Sequence, residues 1–422
     1  MVAAEQSEGG ENSGPIRVLV LSLYYSPEIT ANAPIVTELA RMLAADGFEV
    51  QVVAGTPHYR LPEVPARYRR RLYVREVLDG VAVTRCYAYP KSDGVLPKLL
   101  NYSSFLLTAT PACLLAPRAD VVLVVSPPFL LGFVGALVRW FRGSRLVYNA
   151  QDLFPEGYAG ASVAPSGLLI RLVDLLQRWV FRLADAITVI TPGFQRNLLS
   201  KGVPAQKIWV IPNFADQELV QPGPRDNPFA LQHDLLDKFV VLAAGNIGFT
   251  RGTEVLVPVA KRLESCSDII ILVAGAGSER ARLMRTAEAA GLRNMRLLPP
   301  QPTEMLPLML AAADVGVVTT RPGIAHASFP SRIYGLMAAA RPVVAALDTD
   351  SDPAELIRRA QCGLVVEPGN AEEIAQAILN LRADETIRKQ MGENGRQHLV
   401  ENYSKHTVGA SYAALLRQLA ER

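Results

Sequence analysis

Short, uninterrupted apolar runs constrain this chain more than any other feature. Arg17 to Leu23, RVLVLSL, is apolar on consecutive positions and too short for a buried helix, so it reads as a strand covered on both faces. VVLVV (121–125), RLVYN (145–149) and AITVI (186–190) repeat the pattern, with helical periodicity between them. From Pro34 to Ala45 the period is helical; Pro34 suits a first turn, Gly47 a stop, and Glu49 to Val53 the next strand. Strands alternating with helices demand a parallel, doubly wound sheet. The pattern closes at Trp209-Val210-Ile211-Pro212, passes an aperiodic stretch over 213–234, and restarts. New strands are expected at Phe239–Ala243, Ile269–Ala274, Met295–Leu298, Val315–Val318, Pro342–Ala345 and Gly363–Val366. The expected organisation is a disordered tail (1–15), two Rossmann-like α/β units (16–214 and 215–404) and a C-terminal helix (405–422) that returns to the first unit.

A mean hydropathy of +0.17 with 50% hydrophobic residues raises the question of a membrane span. The longest apolar run, Val121 to Phe141, is broken by Ser126-Pro127-Pro128 and carries Arg139, so neither half reaches the ~20 residues a spanning helix needs. Residues 1–15 lack the apolar core of a signal peptide. Four scattered cysteines, Cys86, Cys113, Cys266 and Cys362, give neither a disulfide framework nor a zinc spacing. Forty-three basic against forty acidic residues exclude a nucleic-acid binder that depends on bulk charge. A cytoplasmic protein is expected.

Chemistry concentrates at strand ends, where ligands bind in doubly wound sheets. The first strand–loop–helix, YYSPEITANA, has no glycine, so the dinucleotide fingerprint is missing. The second unit's first strand ends in GNIGFTRG, where Gly245, Asn246 and Gly248 allow close backbone approach and Arg251 could pair with phosphate. The same residues also fit an ordinary βα turn. Gly275 and Gly277 end the next strand in the same way. In HASFPSRIYGLMAAARPVVAA, Pro330-Ser331 reads as a helix start with Ser331 as its cap, Ser328 beside it and Arg332 in support; an amphipathic core helix is the plainer reading. In the first unit, YNAQDLFPEG sets Asp152 and Glu156 in a strand-end loop, suited to sugar hydroxyls, proton transfer or simple solvation. His58, in AGTPHYR, is either a catalytic group or a structural histidine. Asp348-Thr349-Asp350-Ser351-Asp352 resembles a metal-binding D-x-D but lacks further oxygen ligands at the right spacing, and reads as an exposed acidic loop.

Two segments bear on location. RYRRRLYVR (67–75) interleaves arginines with apolar residues, and Leu96 to Leu115 is mostly apolar. A solvated loop and a buried helix would explain them separately; together they suit contact with an anionic membrane surface.

Taken in order, these pieces resemble the GT-B glycosyltransferases of family 4, in particular the bacterial enzymes of exopolysaccharide and O-antigen assembly such as the colanic acid glycosyltransferases. YYSPEIT, TPHY, NAQDLFPE, IPNF, GNIGFTRG, FPSRIYGLMAAARPVVA and GLVVEPGNAEEIAQAI carry the likeness, from Arg17 to about Ser404. The resemblance implies retaining transfer of a sugar from a UDP- or GDP-sugar to a lipid-linked saccharide, with no metal and no other cofactor. Donor would lie against the second unit and acceptor against the first. The diphosphate would meet Arg251, the Gly245–Gly248 loop and the Ser331 helix start, and Asp152 and Glu156 would sit near the transferred sugar. One departure stands out: the family's two glutamates fall on Ala327 and Gly335 here. Their loss keeps open a binding subunit without catalysis, and a nucleotide-sugar epimerase shares the same two-unit plan.

Overall fold

The computed structural model describes residues 14–28, 32–58, 63–90, 94–153 and 167–421. The first unit runs β1 (Arg17–Ser22), α1 (Asn32–Ala45), β2 (Glu49–Gly55), β3 (Tyr73–Leu78), β4 (Val81–Cys86), α2 (Val95–Leu115) and β5 (Val121–Val125). It continues through α3 (Leu131–Arg142), β6 (Arg145–Ala150), α4 (Gly167–Leu183), β7 (Ala186–Val189), α5 (Pro192–Ser200) and β8 (Ile208–Val210). These strands form one sheet in the order β3-β4-β2-β1-β5-β6-β7-β8.

The continuous apolar runs are the central strands. In VVLVV, Val122 and Val124 join the core beneath α2, α3 and α4, while Val121, Leu123 and Val125 join the core beneath α1. A strand sandwiched this way has no polar face, which is why the sequence shows no alternation.

The second unit runs α6 (Pro228–Gln232), β9 (Phe239–Ala244), α7 (Leu256–Arg262), β10 (Ile269–Ala274), α8 (Arg280–Ala289), β11 (Met295–Leu298) and α9 (Leu306–Ala311). It closes with β12 (Val315–Thr319), α10 (Arg332–Ala338), β13 (Val343–Ala346), α11 (Asp352–Arg359), β14 (Gly363–Val366), α12 (Ala371–Ala383) and α13 (Glu385–Asn402). Its six-stranded sheet, β11-β10-β9-β12-β13-β14, is wholly parallel. Two α/β units, each built on its own largely parallel sheet, are what the restarting strand–helix pattern of the sequence called for.

The last helix, α14 (Lys405–Ala420), packs on α1 and β5 of the first sheet, burying Val408, Tyr412, Leu415 and Leu416. The chain therefore crosses between units twice, and the crossings touch: Ala215 N–H donates to the Tyr403 carbonyl at 3.3 Å, and Ala215 and Ser404 form a parallel bridge.

One expectation fails in detail. The first sheet is not all parallel, because β3 runs antiparallel to β4 at its edge. RYRRRLYVR, expected as part of a membrane-facing surface or else a solvated loop, runs into that strand at Tyr73. Asp79 (φ 51°) and Gly80 (φ 82°) make the tight turn between the two strands; an Asp-Gly pair between alternating runs is a hairpin signal in its own right. Among the described residues no helix is long and apolar enough to cross a membrane.

Candidate functional site

The strand ends of the two sheets face each other, and the residues that meet there come from β6 on one side and β9, β12 and α10 on the other. From β6, the buried amide of Gln151 bonds in both directions to Asn213, at 2.7 and 3.1 Å. It also donates to Asn149 Oδ1 at 2.7 Å. This chain of amides ties the NAQD segment to the inter-unit crossing and sets the backbone from which Asp152 projects. Leu153 N–H then donates to the Ala327 carbonyl of the second unit at 3.3 Å.

Asp152 is partly buried and accepts a hydrogen bond from Ser328 across the interface. Burial pushes its carboxyl above the usual range, opposed by the charge of Arg251, the Ser328 hydrogen bond and the charge of Lys98. Arg251 sits in a tight turn, Phe249–Arg251, clamped by β12 and its following loop. Thr319 Oγ1 donates to the Arg251 carbonyl at 2.6 Å, Arg321 Nε donates to the Phe249 carbonyl at 2.8 Å, and the Arg321 guanidinium lies 3.7 Å from the Phe249 ring centroid. The Arg251 guanidinium is held but not satisfied: Nε and Nη1 are sealed from solvent and meet no acceptor. Burial lowers its pKa, with Asp152 acting against that.

Arg332, first residue of α10, donates to the Asn246 carbonyl at 3.0 Å. Burial brings its pKa down to about 9, and the neighbouring charge of Arg251 adds to the fall. Two half-buried cations brought together, with one carboxylate opposite, are poised for an anion of higher charge.

The glycines divide by role. A Cβ at Gly275 would fall 1.9 Å from the Gly245 carbonyl oxygen, and one at Gly277 2.1 Å from that of Ile247. These two positions are therefore glycine because the two strand-end loops pack backbone on backbone. Gly245 (φ 118°) lies under the Arg332 guanidinium, and Gly248 begins the turn that carries Arg251. The expected cap at Ser331 does not form: its backbone is already helical (φ −56°, ψ −16°), so its hydroxyl makes no cap bond to α10. Pro330 is buried, and its carbonyl accepts from Ile333 N–H at 3.1 Å.

His58 is buried with both ring nitrogens engaged. Nδ1 donates to the Thr56 carbonyl at 2.7 Å, and Asn101 Nδ2 donates to Nε2 at 2.7 Å. A carbonyl can only accept and an amide nitrogen only donate, so the proton sits on Nδ1 and Nε2 has no lone pair to offer a substrate. Glu156 lies outside the described residues. The acidic loop is a brace: Asp348 accepts from Gly323 N–H (2.7 Å) and Ala325 N–H (3.0 Å), and Asp352 accepts from Gly193 N–H in the first turn of α5 at 2.6 Å. Among the described residues no three His, Cys, Asp or Glu side chains gather closely enough to hold a metal ion. At the two departures from the family pattern, Ala327 is buried, and a Cβ at Gly335 would have only Leu310 nearby, at 3.7 Å.

Sequence reading missed the Asn149–Gln151–Asn213 chain and the Arg321 clamp. The first had a signal, since amides inside an otherwise apolar strand end must be buried with partners.

Residues 32–213 match the family described as Glycosyl transferase 4-like domain, and 229–398 match Glycosyl transferases group 1. The chain is 28% identical over 392 residues to the putative colanic acid biosynthesis glycosyl transferase WcaI of Escherichia coli, covering 90% of this chain and 96% of that one. It is 26% identical to the probable glycosyltransferase WbjE of Pseudomonas aeruginosa, over 79% of this chain and 84% of that one. In fold it is similar to sucrose-phosphate synthase from Thermosynechococcus elongatus (TM-score 0.76, 19% identity, 96% and 99% of the two chains). It is also similar to Anabaena HepE in complex with UDP and glucose (TM-score 0.71, 18% identity, 95% and 99%). With both halves matched and the GT-B architecture in place, the chain belongs to the GT-B glycosyltransferases, a Glycosyl transferase 4-like domain followed by a Glycosyl transferases group 1 domain.

Proposed function

We propose that this protein transfers a sugar, with retention, from a UDP- or GDP-sugar to a lipid-linked saccharide during synthesis of a bacterial surface polysaccharide. The observation that carries the reading is the Arg251 guanidinium, whose Nε and Nη1 are buried without acceptors, beside Arg332 and opposite Asp152. A donor diphosphate would supply the missing acceptors, and the two guanidinium groups would stabilise the leaving diphosphate as its charge develops, the service a metal ion gives elsewhere. The donor sugar's C1–O bond to phosphate breaks while C1 bonds to the acceptor hydroxyl on the same face. The acceptor's proton passes to the departing diphosphate oxygen, so no protein nucleophile takes part. Asp152, on the first unit, would orient the transferred sugar through its hydroxyls. Relatives named for colanic acid and lipopolysaccharide synthesis support the acceptor class, and HepE complexes with UDP and UDP-glucose support the donor class.

The test is turnover of nucleotide-sugars on membrane extract in the presence of EDTA. Activity should survive chelation and fall at least tenfold in Asp152→Asn, whose carbonyl oxygen accepts hydrogen bonds more weakly than a carboxylate. Activity abolished by EDTA, or unchanged in Asp152→Asn, overturns the respective assignment. A second reading, nucleotide binding without transfer, is favoured by Ala327 and Gly335 in place of carboxylates. It predicts thermal stabilisation by UDP or GDP with no turnover on any extract.

A further inference from the structure

The first unit carries a surface that the transfer chemistry leaves unused. Helices α2, α3 and α4 lie side by side over one face of the eight-stranded sheet, opposite α1 and α14. They are closely joined: a Cβ at Gly132 of α3 would fall 2.2 Å from Val180 of α4, and Arg142 donates to the Ala116 carbonyl at the end of α2 at 2.8 Å. Each turns a buried stripe to the sheet, as α2 does with Phe105, Ala109 and Cys113. On a helix with one buried face the opposite stripe should be polar. On these three it is not.

The outer stripe of α4 is Leu168, Leu172, Leu175 and Trp179, one helical face with exposures of 79%, 49%, 50% and 48%. On α2 the outer face exposes Leu100, Leu107 (76%) and Leu115 (80%). At the far end of α3, Trp140 and Phe141 stand out at 60% and 73%. Large side chains contiguous over three helices mark an interaction surface.

The charge around them is one-sided. The helices, of 21, 12 and 17 residues, carry six basic residues and a single acid, Asp174, which pairs with Arg178 at 2.7 Å. Arg139 is held by Asp185, just past α4, at 2.8 Å, which leaves Arg142, Arg171 and Arg182 outside these pairs. The whole chain, by contrast, has forty-three basic and forty acidic residues. Tyr73 Oη donates to the Thr108 carbonyl at 3.1 Å, bringing the exposed Arg70 and Arg71 to the edge of α2. Apolar side chains among cations, with almost no acid, complement an anionic lipid surface. A second copy would set cationic face against cationic face. The face also leads to the cleft, since Asn101 of α2 bonds to His58 and the Lys98 charge acts on Asp152.

We propose that the α2–α3–α4 face docks on an anionic bilayer, with its leucines and tryptophans at the headgroup–acyl boundary and Arg142, Arg171 and Arg182 toward lipid phosphates. The inference rests on the lipid-linked acceptor proposed above, because docking there presents the cleft to a substrate anchored in the same bilayer.

Sedimentation of the full-length protein with vesicles tests it. The protein should pellet with phosphatidylcholine vesicles containing phosphatidylglycerol, weakly with phosphatidylcholine alone, and less as salt rises. Leu172→Glu/Trp179→Glu and Leu100→Glu/Leu107→Glu should each weaken vesicle binding about tenfold or more. Both should keep the parent melting midpoint and UDP affinity, since every substituted side chain faces outward. Wild-type protein that stays in the supernatant, or charged variants that still pellet, overturn the proposal. A concentration-dependent dimer dissolved by the same substitutions overturns it in favour of a second copy. Vesicle binding needs no donor, so binding without turnover refutes only the transfer reading, and turnover on a soluble acceptor without vesicle binding refutes only this one.

Discussion

Replacing Arg251 with methionine should make the donor-free protein no less stable while destroying its hold on a nucleotide diphosphate. The guanidinium has Nε and Nη1 sealed and unpartnered, and burial lowers its pKa. An unsatisfied buried donor costs about 1–3 kcal/mol, more when charged, and a thioether of similar reach removes that cost while filling the same space. Asp152 loses its charge partner but keeps Ser328, so the net gain is about 0–2 kcal/mol. At roughly 2–4 °C per kcal/mol for a domain of this size, the midpoint should hold or rise by up to ~8 °C. With a diphosphate bound, the balance reverses. Losing one or two charge-assisted hydrogen bonds costs about 2–4 kcal/mol, which is roughly 30- to 1,000-fold in affinity. Differential scanning fluorimetry with and without UDP and GDP, followed by calorimetric titration, reads both numbers on one preparation. A midpoint several degrees lower with unchanged nucleotide affinity would refute the reasoning, because it would make Arg251 a structural cation.

The pH dependence of donor binding should follow Arg332. In the free protein this group loses its proton near pH 9, and a bound diphosphate holds that proton more tightly. Affinity is therefore full below pH 9 and falls as pH rises through it. A titration of UDP affinity between pH 7 and pH 10 that is as steep in Arg332→Gln as in the parent would exclude this residue as the cause. For His58→Ala, the loss of two ring hydrogen bonds predicts a stability decrease of about 1–3 kcal/mol, with kcat kept within roughly tenfold. A general base would instead show a kcat loss of about 100-fold or more at unchanged stability.

The central parallel strands were legible because burial on both faces leaves an unmistakable run of apolar residues, as in Val121–Val125. The edge hairpin was not, because β3 puts Glu76 among its half-buried positions and Val77 among its exposed ones, which masks the period. At the site, composition pointed to Arg251 and Asp152, but only the fold shows that they face each other across two units. Sequence also overstated two residues. Ser331 is a preferred cap type, yet the preceding turn already has helical geometry, which removes the need for one. His58 is a reactive residue type, yet its neighbours Thr56 and Asn101 leave neither nitrogen open. Spacing along a chain cannot report an unsatisfied atom such as Arg251 Nη1, since that is a property of everything packed around it.

The paired crossings between the units bear on how the molecule can move. A single linker would let one half tumble and twist against the other. Here two strands of chain pass side by side, pinned by the Ala215–Tyr403 hydrogen bond and the Ala215–Ser404 bridge, and α14 is anchored in the core of the opposite unit. Torsion about the long axis would have to tear α14 from that core, whereas a swing about the line of the crossings deforms only a few peptide units. The molecule is a book with a double-stitched spine, in which twisting meets the α14 anchor and hinging meets only the crossings. A swing of that kind would part Asp152 from Arg251 and Asp352 from α5, so opening the cleft would break the charge contact across it in the same movement.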